Sequence, residues 1–192
     1  QAQVNEAKSE LAAAVSYLAE DDPVSAPHHL NPIVPGYGAD PTMWKFGDTY
    51  YLYANTTDRD WCDTPMVFWS KDLVNWEGHA LKLLVDEESY GGEYTHRMQW
   101  APSIIEWKGT YYLYFTVYDN RPGLADDERE NNIVAVSDNP AGPFTIKKCI
   151  TYGEPGSASP ENSTHDPHVF YDAQTDKVYL LYGGIFEKLF IE

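Results

Sequence analysis

The alternation of apolar and polar positions changes character near residue 39. Upstream, Ala7, Leu11, Ala14, Val15 and Leu18 fall close to a 3.6-residue period, which predicts a short helix over residues 5–20 packed on the main body. Asp21, Asp22 and Pro23 end that pattern, and a loop rich in proline and histidine, "SAPHHLNPIVPGYG", follows. Downstream the apolar runs become short, aromatic and β-branched. "TMWKF" and "TYYLYAN" flank Gly47-Asp48; "SIIEW" and "TYYLYFTVY" flank Lys108-Gly109; "HVFYD" and "KVYLLYG" flank "AQTD". Each reads as two strands joined by a tight turn.

The pairs are copies of one pattern. Leu52, Leu113 and Leu180 are equivalent positions, at intervals of 61 and 67 residues. The first two pairs continue toward further short strands in "PMVFWSKDLVNWEG" and "NIVAVSDNPAGPFTIKK", where Ser70 and Ser137 hold matching places before a polar turn. A repeating unit of four antiparallel strands is the pattern of a β-propeller blade, which cannot bury both faces of its sheet without neighbours. The competing architecture is a β-sandwich with coincidental hairpins; agreement of three copies in motif order favours the propeller. The fold expected is therefore all-β: a β-propeller, partial in this chain, behind a short N-terminal helix. The expected organisation is helix and linker over 1–30 and propeller over 31–192. Blade 1 is read at about 36–85, blade 2 at about 97–151 and the start of blade 3 at about 164–186. A closed propeller takes roughly four or more blades, so the remainder belongs to a longer chain or to a second chain, or the sequence has internal gaps.

Charge narrows the partners. Thirteen Lys and Arg against thirty Asp and Glu give a formal charge of -17, which argues against a nucleic-acid backbone, whose phosphates need basic side chains. Cys62 and Cys149 stand alone, without the clustered spacing of a structural zinc site. The apolar stretch "LAAAVSYLAE" is too short to span a membrane, and no basic segment precedes it as in a signal peptide. The sequence starts at glutamine, which suggests processing or trimming of a longer product.

The three copies differ where chemistry would sit. The first carries Asp40-Pro41, the second Ala101-Pro102 and the third Asp166-Pro167. The first strand of each blade lines a propeller's channel, so equivalent residues converge near its axis. Asp-Pro is also an ordinary turn opening before a strand, but two carboxylates at equivalent sites, with an alanine between them, suit glycosidic hydrolysis. There one carboxylate activates water and a second group donates a proton to the leaving oxygen.

At this point the chain resembles glycoside hydrolase family 43. "NPIVPGYGADPTMWKFGDTYYLYA", "QWAPSIIEWKGTYYLYF" and "HDPHVFYDAQTDKVYLLYGG" are similar to its first three blades, over about residues 30–186. The resemblance implies a five-bladed propeller that hydrolyses arabinofuranosides, xylosides or related plant polysaccharides with inversion. Related families of this fold act on fructans or anhydro-galactose sugars. It implies that Asp40 is the general base and that Asp166 orients the general acid and raises its pKa. The family's acid is a glutamate opening the fourth blade. Glu192 follows an apolar run, "GIFEKLFIE", that looks like the approach to such a strand, yet it stands only 12 residues beyond Leu180. The outer strands of blade 3 do not fit in that space, so Glu192 is the candidate catalytic acid only if about 40 residues are missing from the sequence. Glu187 is a weaker candidate, read as a surface residue.

Around these carboxylates, Trp100, Trp61, His96, Arg97 and His165 are candidate substrate-binding residues. The Trp100 indole suits the C–H face of a sugar and is equally ordinary core material. Trp61 lies in the loop after the first hairpin, and His96 and Arg97 precede "MQW". His165 and His168 flank Asp166. Trp44 and Trp107 are read as packing between blades. No histidine has zinc-type companions, so no metal ligands are assigned. The resemblance requires no cofactor but allows a structural calcium ion on the axis. The substrate expected is an oligosaccharide or polysaccharide, with no nucleic-acid or membrane partner, and the expected location is secreted or periplasmic. The alternative reading is a non-catalytic carbohydrate-binding or structural propeller.

Overall fold

Every regular element in the described residues is a β-strand. The computed structural model describes residues 38–55, 65–85, 99–118, 130–150, 164–184 and 188–191, all within the unit Pro32–Glu192. The helix expected over residues 5–20 lies outside them.

The first sheet runs in the order β1 (Ala39–Phe46), β2 (Thr49–Asn55), β3 (Pro65–Ser70), β4 (Glu77–Ala80), antiparallel throughout. Its opening hairpin turns at Gly47, whose φ of +62° suits a residue without Cβ. The second sheet repeats the plan with β6 (Gln99–Trp107), β7 (Thr110–Tyr118), β8 (Glu130–Ser137) and β9 (Phe144–Cys149). Here Lys108 and Gly109 both have positive φ, as a two-residue type I′ turn demands. The third sheet contains β10 (Thr164–Asp172), β11 (Lys177–Gly184) and β12 (Lys188–Ile191).

One strand was not expected. β5 (Leu83–Val85), in the segment linking the first two sheets, pairs parallel with β9 and gives the second sheet a fifth strand. The start of the link is tied to both sheets. The Leu81 N–H donates to the Pro65 carbonyl at 2.7 Å, and the Phe144 N–H donates to the Lys82 carbonyl at 2.9 Å. Leu81 itself is buried in the core between the sheets.

Alternation along the strands explains the stacking. Tyr53 and Val67 of the first sheet meet Ile104, Leu113, Phe115, Ile133 and Ile146 of the second in one core. Ile105, one residue after Ile104, faces the other way and packs with Val169, Leu180 and Tyr182 of the third sheet. The second sheet is thus covered on both faces, and consecutive residues Ile104 and Ile105 are both buried. Trp44 packs against the first core, as its place in the repeat suggested. The arrangement is all-β and propeller-like: three successive sheets stacked face to face, with β6 against β1 on one side and β10 on the other.

Candidate active site

The inner strands β1, β6 and β10 share one irregularity. Each breaks register with its partner just after its start, between Ala39 and Thr42, Trp100 and Ser103, and His165 and His168. The residue in each break has a left-handed backbone: Asp40 at φ +48°, Ala101 at +51° and Asp166 at +55°. Proline follows in all three. Left-handed geometry is uncommon outside glycine, and aspartate tolerates it through local hydrogen bonds that alanine cannot make. Ala101 adopts it regardless, so the bend needs no carboxylate. The aspartates therefore add chemistry to a bend that forms without it.

Their surroundings differ. The exposed Asp40 carboxylate accepts a 2.7 Å hydrogen bond through Oδ2 from the Nδ2 of Asn55. Asn55 is buried, ends β2 and pairs with Ala39, so its amide lies beside the bend. A carboxylate has only acceptors, which fixes the amide with nitrogen toward Asp40. Asp166 is held twice. Its Oδ2 lies 2.9 Å from the Nδ1 of His165. Its backbone N–H donates to Thr116 Oγ1, on β7 in the neighbouring sheet, at 2.9 Å. The His165 ring lies over Gly183, where a Cβ would come within 2.8 Å of its Cε1.

Trp100 is half-buried on β6 opposite Thr116, and His168 is exposed on β10. Trp61, His96, Arg97, Glu187 and Glu192 lie outside the described residues. The strand that leads to Glu192 pairs with β11 as the third strand of the third sheet, not as the opening strand of a fourth. That accounts for the short spacing from Leu180.

Asn55, Thr116 and Gly183 were not singled out from the sequence. They are one position of the repeat, paired across the hairpin with Ala39, Trp100 and His165 respectively. A polar or glycine residue three positions after the equivalent Leu52, Leu113 and Leu180 was the available signal.

Among the described residues no three His, Cys, Asp or Glu side chains are grouped to hold a metal ion.

Stacked, mostly antiparallel sheets, two of them with an aspartate at the same bend of the first strand, define an all-β, propeller-like protein. The chain belongs to the glycosyl hydrolases family 43, whose family model matches residues 29–189. It is 31% identical over 117 residues to a non-reducing-end α-L-arabinofuranosidase of Bacteroides ovatus, covering 60% of this chain and 21% of that protein. It is 29% identical over 159 residues to a xylan 1,3-β-xylosidase of a Vibrio species, covering 80% and 27%. Among solved structures, a thermostable family-43 glycoside hydrolase superposes with a TM-score of 0.59 at 30% identity, covering 81% of this chain and 44% of that one. A β-xylosidase/α-arabinofuranosidase from a compost metagenome, solved with xylotriose in a calcium-free form, superposes with a TM-score of 0.58 at 29% identity, covering 83% and 46%. The chain thus spans less than half the length of these relatives.

Proposed function

We propose that this chain carries the first three blades of a five-bladed inverting glycoside hydrolase. Its substrates are arabinofuranosides, xylosides or a related plant or algal polysaccharide. One observation carries the reading: Asp40 and Asp166 occupy left-handed bends that Ala101 forms without a carboxylate. Asp40 is the general base. Its ionised carboxylate, oriented by Asn55, takes a proton from the water that attacks the anomeric carbon. Asp166 is the negative charge that disfavours ionisation of the general acid and keeps it protonated near neutral pH. The acid is placed on the opening strand of a further blade, roughly 6.5 to 9.5 Å from Asp40, leaving room for that water. The similarity to xylosidases and arabinofuranosidases supports the pentose substrates. Polymeric substrates stay outside the cytoplasm, which favours a secreted or periplasmic protein. The remaining blades come from the same gene product or from a second chain, and the intact mass of the gene product decides between them.

The test is NMR of the first-formed sugar released by the whole protein. Inversion at the anomeric carbon is expected, and retention would remove the mechanism. Asp40→Asn is expected to lower kcat by about 10² to 10⁴-fold whatever the leaving group. Asp166→Asn is expected to hurt most where the leaving group needs a proton and least with an activated aryl glycoside. Equal responses of the two variants would overturn the division of labour.

A further inference from the structure

We propose that Thr116, held in place by Asn132, is the positioning residue for Asp166, and that the second sheet thereby fixes the site on the third. The inference rests on the role given to Asp166 above. The register break of β10 takes the Asp166 N–H out of the ladder with β11. Outside the ladder, that N–H finds its partner in the neighbouring sheet, as Thr116 Oγ1 at 2.9 Å. Thr116 is fully buried, and its hydroxyl donates to Asn132 Oδ1 at 3.0 Å. Asn132, also fully buried, lies directly across from it on β8. With its proton committed to Asn132, the hydroxyl presents a lone pair to Asp166. A second anchor follows the bend, where the Val169 N–H donates to Ser103 Oγ of β6 at 3.0 Å. The strained residue is therefore bracketed by two hydroxyls of the second sheet.

The same repeat position is used differently elsewhere. In the first sheet Asn55 turns to the carboxylate of its own Asp40. In the third sheet Gly183 has no side chain and leaves its space to His165. Asp40 is thus held by its side chain from within its sheet, whereas Asp166, besides its carboxylate's contact with His165, is held by its backbone from the sheet before it. Holding the backbone sets the carboxylate's origin and leaves one of its oxygens unclaimed by Thr116 or His165.

The experiment uses the whole protein with two substrates of the same sugar, an alkyl glycoside and an activated aryl glycoside. Thr116→Val keeps shape and removes the acceptor. It is expected to lower kcat on the alkyl glycoside by about tenfold to a hundredfold, the scale of a small misplacement at a reacting centre. The aryl glycoside should lose several-fold less, with KM little changed, and Thr116→Ser should restore both. Equal loss on both substrates, or no rescue by serine, would overturn the proposal. Amide hydrogen exchange in the unmutated protein provides a test that needs no variant. The Asp166 N–H is expected to be protected like the ladder amides of β10, and exchange at the rate of an open loop would overturn the anchor. If the whole protein hydrolyses no glycoside but the Asp166 amide is protected, the hydrolase reading fails and the anchor stands.

Discussion

Gly183 shows how finely the residues around Asp166 are fitted. A methyl group there would stand 2.8 Å from His165 Cε1 and 3.1 Å from its Nδ1. The imidazole would have to rotate away, breaking its contact with the Asp166 carboxylate. Gly183→Ala is thus expected to fold, because the clash is with the end of a side chain that can move. Its kcat should fall several-fold, more on substrates whose leaving group needs a proton. Unchanged kinetics on both substrate types would show that the His165 contact is idle. At this scale, the aspartates were legible because equivalent places in three copies read Asp, Ala and Asp. Asn55, Thr116 and Gly183 were not, because each acquires meaning only from a partner across a hairpin or a sheet interface. Thr116 and Asp166 are 50 residues apart in sequence, and nothing in a strand's own alternation reports such a bond.

The turns between the third and fourth strands of the first two sheets form a natural comparison. Ser70 Oγ accepts the N–H groups of Asp72 and Leu73, and Ser137 Oγ accepts that of Asn139. Asp72 and Asn139 are equivalent, two residues beyond these serines. The Asn75 N–H, the Asn75 side-chain amide, the Val74 N–H and the Ser70 hydroxyl, in falling order, hold the Asp72 carboxyl well below the usual carboxylate range. A depressed folded-state value contributes stability above the unfolded value, and loses it as pH falls through the folded one. Asp72→Asn should therefore keep the turn, since Asn139 builds its counterpart with an Oδ1 that accepts the Ala141 N–H. It should be less stable than the unmutated protein at pH 6, with a difference that shrinks below a pH of about 4. Urea midpoints at several pH values measure this, and a pH-independent difference would contradict it. The hairpins were readable from sequence through Gly47 and Lys108-Gly109, whose turn chemistry is local. β5 was not, because three residues carry no period and its pairing depends on where the link is tied down.

The stack of sheets is held by contacts that cross from one repeat to the next, and its outer faces remain apolar. Met43, 51% exposed, and Phe68 lie on the face of the first sheet turned from the core it shares with the second; Phe170 and Tyr179 stack on the corresponding face of the third. Such faces are what further blades would cover, and the repeat count anticipated them. Between the first and second sheets, Phe46 meets Tyr111 edge-on at 4.9 Å. Nearby, the fully buried Tyr53 donates its hydroxyl to the Pro140 carbonyl in the β8–β9 turn at 2.6 Å. Burial first, and the nearby phenols of Tyr51 and Tyr111 after it, push the Tyr53 phenol well above its ordinary value. The sign follows from linkage. A raised folded-state value leaves the contribution whole below the unfolded pKa, about 10 for tyrosine, and removes it as pH climbs through the folded one. Tyr53→Phe loses one buried hydrogen bond, a cost of about 1 kcal/mol at pH 7, or roughly 2 to 4 °C in Tm for a domain of this size. It also loses the group whose ionisation the fold resists, so its deficit should shrink above a pH of about 10. Tyr51, Tyr111 and Tyr114, also raised by burial, titrate in both proteins and largely cancel in the comparison. Denaturant midpoints of the two proteins from pH 7 to 11 carry the test. A deficit that stayed constant across that range would mean that the Tyr53 phenol ionises as freely folded as unfolded, and that the bond to Pro140 does not hold the two sheets together.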